Sequence, residues 1–111
     1  MIKVRVRDRE VYITPLWPIT SGSVGLPVSF AFSDEWDGLS KTVIFRNRDV
    51  SNEVELETDS CTVPATALAV SGDNLWIGIY GTNQGGTIVI PTVWGKAGHI
   101  YDGVIPTGGG T

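Results

Sequence analysis

Charge is scarce in this sequence. Only 18% of its 111 residues are Asp, Glu, Lys or Arg, and twelve acidic residues outnumber eight basic ones, for a net charge of -4. A surface for phosphates concentrates Lys and Arg, so nucleic acid is not expected as a partner. Cysteine is almost missing as well. Cys61 is alone and cannot close an internal disulfide; in its strand-like setting it reads as a small hydrophobe, with no sign of adaptation to secretion. The single histidine, His99, has no Cys or His at metal-ligand spacing and reads as a surface or turn residue. Runs of good helix formers are nearly absent, and no apolar stretch is long enough to span a bilayer, so no membrane partner is expected. Met1 to Arg7 alternates where a signal peptide would run apolar, which points to a chain made and folded in a cytoplasm.

What is present is glycine, at 14 residues, six prolines and 41% apolar residues, the balance of a globular chain with many short strands and tight turns. The length suits one domain, expected over residues 1–107, with 108–111 opening a flexible glycine linker. Period-two alternation marks the strands. Ile2, Val4 and Val6 alternate with Lys3, Arg5 and Arg7; Val28, Phe30 and Phe32 share a face; Val54 and Leu56 alternate with Glu53, Glu55 and Glu57. Val11–Thr14, Lys41–Arg46, Cys61–Pro64, Leu75–Tyr80, Thr87–Trp94 and His99–Tyr101 complete the set. Pro15 and Pro18 enforce an irregular segment between the early strands. Ala65–Ala69 offers one helical turn, and Gly81–Gly86 makes a hairpin loop. Strands at intervals of about 8–12 residues give an all-β fold, a two-layer antiparallel β-sandwich of immunoglobulin-like or jelly-roll-like form. The absence of βαβ spacing argues against a parallel sheet. The expected core holds Phe30, Phe32, Val43, Phe45, Trp76, Ile77, Ile79, Ile88 and Ile90. The cationic row Lys3-Arg5-Arg7 reads either as a solvated strand edge or as the complement of the glutamate row, should the two strands be neighbours.

Parts for catalysis are missing. No serine lies in a nucleophile-elbow context, and the glycine pairs follow no strand-to-helix pattern that would cradle phosphate. Asp34, Glu35 and Asp37 crowd one loop, but Trp36 among them reads as an anchor folded onto the sheet, with Gly38 supplying the turn geometry, rather than as part of a calcium loop. The expectation is a non-enzyme without cofactor or metal. The four tryptophans pack in the core or cover its ends, unless Trp17 and Trp94, near strand ends, leave their rings half exposed to stack on a sugar or anchor a protein.

Three segments resemble a known group: Phe32–Leu39 with Lys41–Phe45, then Leu75–Gly81, then Val89–Trp94. Together they are similar to small N-terminal β-domains of structural proteins from phages and prophages of Gram-positive gut bacteria, the baseplate upper proteins and related tail or head fibre proteins. The likeness covers roughly residues 28–105. It implies a virion structural module that anchors a fibre or baseplate component by protein–protein contact, with other virion proteins as partners. It also implies a homo-oligomer in the parent chain, trimeric by analogy, located in the virion after folding in the host bacterial cytoplasm. Candidate contact residues are Trp17, Trp94, Lys3, Arg5 and Arg7. The alternative is a carbohydrate-binding module that recognises a host-surface glycan through exposed tryptophans.

Overall fold

A computed structural model describes residues 2–15, 19–22, 25–69 and 72–101. Among the described residues, nine strands run in the order β1 (Ile2–Arg7), β2 (Glu10–Pro15), β3 (Ile19–Thr20), β4 (Pro27–Phe32), β5 (Ser40–Asn47), β6 (Val50–Leu56), β7 (Ser60–Thr62), β8 (Asn74–Thr82) and β9 (Ile88–Tyr101). Two short 3-10 turns, Asp34–Trp36 and Ala65–Leu68, are the only helical pieces among the described residues. The strands form two packed sheets, one ordered β2-β1-β4-β7 and the other β3-β9-β8-β5-β6. The fold is all-β, as the strand spacing implies.

Alternation decides which side of each sheet is dry. In β1, Ile2, Val4 and Val6 are buried while Lys3, Arg5 and Arg7 face solvent, the pattern of a strand with one face on a core. Val28 and Phe30 of β4, Val43 and Phe45 of β5, and Leu75, Ile77 and Ile79 of β8 point into the same core. The sheets approach closely at Gly95 of β9, where an added Cβ would lie 2.7 Å from Val11 Cγ1 and 2.9 Å from Ile13 Cδ1 of β2. Only glycine leaves room for the opposite sheet at that point.

Trp36 closes one end of the sandwich. Its ring is fully buried, tilted 5.4 Å from Phe32, and its Nε1 donates a 2.9 Å hydrogen bond to the Asp8 carbonyl. Asp8 N–H in turn donates to Ser33 Oγ at 2.8 Å, so the β1–β2 turn and the Asp34–Trp36 turn hold each other. Gly38 takes φ +77°, a geometry other residues avoid, and lets the chain leave this turn toward β5. The anchor role read from the sequence for Trp36 and Gly38 is thus seen in the packing.

Several sequence expectations need correction. Trp76 is not core: it stands on the outer face of β8, 39% exposed, because Leu75, Ile77 and Ile79 take the inward positions. Ile88 is 58% exposed at the start of β9, beside the Asn83–Thr87 loop. Phe32 is only partly buried, at the sandwich rim under Lys41, whose Nζ lies 5.1 Å from the ring centroid. Trp94 lies mid-strand rather than near a strand end, since β9 runs on unbroken through Pro91, Gly95 and Gly98 to Tyr101. His99, within the same strand, is exposed, in keeping with the surface position read from the sequence.

Pairing also departs from expectation in two places. β1 pairs parallel with β4, and β3 parallel with β9; every other pair is antiparallel. β1 is therefore an interior strand, not an edge, and it does not neighbour β6. The Lys3-Arg5-Arg7 and Glu53-Glu55-Glu57 rows belong to different sheets. Parallel pairing here needs no helical crossover, because β2 runs antiparallel to β1 and returns the chain to the end of the sheet where β4 begins.

Candidate functional site

The outer face of the five-stranded sheet carries two exposed tryptophans, Trp76 and Trp94. Register places Gly78 of β8 opposite Trp94 of β9 and opposite Ile44 of β5, with Trp76 flanked by Lys96 and Arg46. Trp76, Gly78 and Tyr80 point the same way because side chains of a strand repeat every second residue. Gly78 decides the geometry. A Cβ there would sit 2.7 Å from Trp94 Cε3 and 2.8 Å from Cζ3, so the indole lies directly against the bare backbone of β8. A bulkier residue would push the ring away from the sheet.

Trp76 and Trp94, with Arg46, Arg48 and Asp73, line a shallow groove of about 510 Å³. Trp94 is 42% exposed. Arg48 sits in the β5–β6 turn with φ +55°, and its Nε donates a 3.0 Å hydrogen bond to Asp73 Oδ2. Asp73 Oδ1 accepts the Asn74 N–H at 2.8 Å. That backbone donor, then the Arg48 guanidinium, hold the Asp73 carboxyl below its ordinary value, so it stays ionised at neutral pH. On the far side, Tyr80 donates its hydroxyl to Glu53 Oε1 at 2.8 Å. The groove thus has an aromatic floor and fixed charged rims, with two guanidinium groups at one end.

The sequence-derived candidates divide. Trp94 is in the groove. Lys3, Arg5 and Arg7 are exposed on the outer face of the opposite sheet, away from it. Trp17 lies outside the described residues, as does the 108–111 segment. Arg46, Arg48 and Asp73 were not singled out by the sequence, and Trp76 was read as core. The usable signal was Gly78, a bare position two residues from a tryptophan within a strong strand.

Comparison with protein-family models, with curated proteins and with solved structures gives no match. The surface must therefore be read from its chemistry.

The basic row has its own relief. Shallow grooves of about 370 and about 440 Å³ run along it, the first between Lys3, Arg5, Tyr12 and Ser29, the second between Arg5, Arg7 and Asp34. Tyr12 donates a short hydrogen bond to Glu10, and this bond raises the phenol above its ordinary range. In the Asp34–Asp37 loop, Glu35 is engaged by Arg9, Nε to Oε1 at 3.3 Å. Among the described residues, no three His, Cys, Asp or Glu side chains are grouped to hold a metal ion. Cys61 is half-buried against the core, and desolvation pushes its thiol up to about 11, the behaviour of a packing residue rather than a nucleophile.

Proposed function

We propose that this chain is a non-catalytic attachment module, a virion structural part that anchors a fibre or baseplate component to neighbouring virion proteins. One observation carries the reading: Trp76 and Trp94 stand exposed side by side on a rigid sheet, with Arg46 and Arg48 at their edge. Trp, Tyr and Arg are the residues that dominate protein interfaces, and rings seated on a strand lose little conformational entropy when covered. The likeness of residues 28–105 to phage structural domains supplies the kind of partner. No cofactor enters this function, and the protein works as an oligomer in the particle.

The test is incorporation. Purified particles of the phage or prophage that encodes the chain should contain it, and particles assembled with Trp76→Ala/Trp94→Ala chains should lose it or the component it anchors. Particles that lack the wild-type protein would remove the reading.

The same rings favour a second reading, in which the groove takes a glycan of the host surface. Pyranose rings stack on flat aromatic faces, and Arg48 and Asp73 would meet the hydroxyls. Titration of tryptophan fluorescence with cell-wall oligosaccharides separates the two. Saturable binding that is lost in Trp94→Ala would favour the glycan, while unchanged emission at millimolar sugar supports the protein contact.

A further inference from the structure

The two charged rows noted in the sequence do not meet within one chain, yet they match between two. Lys3, Arg5 and Arg7 project from β1 in the middle of the four-stranded sheet, and none of them makes an ion pair with a described residue. Three of the chain's eight basic residues lie in this one row, on a protein of net charge -4. On the other sheet, β6 is an edge strand whose outer face carries Glu53 and Glu55, with Glu57 just beyond its end, all exposed. Successive charges in both rows are separated by two strand residues, about 6.7 Å, so the two rows have a common spacing.

We infer that the basic outer face of β1 docks on the acidic outer face of β6 in a second copy of this chain. The occupant is set by complementarity of sign and spacing. On the β4 side the flanking residues permit close approach, since Ser29 and Ala31 beside Lys3 and Arg5 are small, while on the β2 side the exposed Tyr12 stands beside Arg5. Glu10 faces Arg7 across the β1–β2 pair, which leaves Lys3 and Arg5 as the stronger contacts. Glu53 is already oriented by Tyr80, so its carboxylate is partly ordered before contact.

The two surfaces differ, so the contact is heterologous. Each copy uses its β1 face on one neighbour and its β6 face on the other, and such contacts close into a ring or continue as a filament. Exposed ion pairs are individually weak and screened by salt, so the isolated chain should associate only at high concentration and low ionic strength. The inference does not rest on what the Trp76–Trp94 groove binds, although Glu53, held by Tyr80, stands on the same outer face as that groove.

A charge swap tests it on the whole chain. One variant carries Lys3→Glu, Arg5→Glu and Arg7→Glu; the other carries Glu53→Lys, Glu55→Lys and Glu57→Lys. All six positions are exposed, and circular dichroism checks that both variants fold. Sedimentation velocity at millimolar protein should show wild-type association that weakens at least about tenfold between about 50 mM and about 500 mM sodium chloride, as the screening length shortens. Each variant alone should be monomeric, and the mixture of the two should associate again. A wild-type chain that is monomeric at low salt would overturn the inference. So would association indifferent to salt, variants that still self-associate, or two variants that fail to pair with each other.

Discussion

Two tryptophans have opposite roles, and replacing each by alanine should separate them. Trp36 has no exposed surface, and a buried indole removes about 200 Å² from water, which at about 25 cal/mol per Å² is worth about 5 kcal/mol. Measured losses for buried Trp or Phe to Ala run at about 3–5 kcal/mol. Trp36→Ala also leaves the Asp8 carbonyl without its 2.9 Å donor and frees the β1–β2 turn from the Asp34–Trp36 turn. A loss of about 4 kcal/mol is a large share of the about 5–15 kcal/mol that holds a domain of this size together. Trp76 is 39% exposed on an outer face, so its removal opens no cavity and water fills the space. Trp76→Ala should cost about 1–2 kcal/mol. Trp36→Phe isolates the hydrogen bond, since it keeps most of the ring, and should cost about 1 kcal/mol beyond the small change in area. Guanidinium chloride unfolding followed by circular dichroism measures all three. A midpoint for Trp76→Ala as low as that for Trp36→Ala, at unchanged slope, would refute the assignment of inner and outer faces.

Other outcomes follow from the same contacts. Gly95→Ala should destabilise by about 1–3 kcal/mol, because its Cβ would meet Val11 and Ile13 across the closed core, and thermal melting reads this directly. Gly78→Ala meets only an exposed ring and Thr92, so it should cost less stability but shift tryptophan emission as Trp94 is displaced. The Cys61 thiol, pushed to about 11, should resist iodoacetamide at pH 8 in the folded chain and react once the chain is unfolded. Because its folded value lies above the ordinary 9.0, its contribution to stability is complete below pH 9 and is lost as pH rises to about 11; Cys61→Ala should flatten that part of the stability curve. Asp73 has the opposite sign: its contribution is present above its ordinary 3.8 and disappears as pH falls through the lowered folded value, which carboxyl titration by NMR would follow, with Arg48→Ala moving it back up.

Strands were legible because one-sided burial writes a period of two. β1, β4 and β6 announce both their existence and their dry face, since polar or small residues occupy nearly every second position. β8 announces only its existence. Its run Leu75–Tyr80 is apolar on both sides, so alternation alone could not say that Trp76 faces out and Leu75 in. The length of β9 was hidden by Pro91, Gly95 and Gly98, which normally punctuate strands; here Gly95 is required by the opposite sheet. Partner choice was hidden for a different reason. The glutamate row offered β1 a plausible neighbour, but pairing is decided by which inner faces share a core, and β1 pairs with β4. The groove was the least legible feature, because Arg48 and Asp73 come from turns separated in sequence and meet only after β5 and β8 have paired.

The position of β1 inside its sheet has a consequence for the order of events at the ribosome. β1 and β2 can form a hairpin early, but β1's other neighbour, β4, is made later, and the sheet is finished only by β7. Until then the hairpin offers an open backbone flank with an apolar face, the kind of template on which identical nascent strands add to one another. Lys3, Arg5 and Arg7 repeat on every copy, so two such hairpins lying side by side in register would bring like charges together. The row that decorates the finished sheet thereby keeps the unfinished one from pairing with its twin.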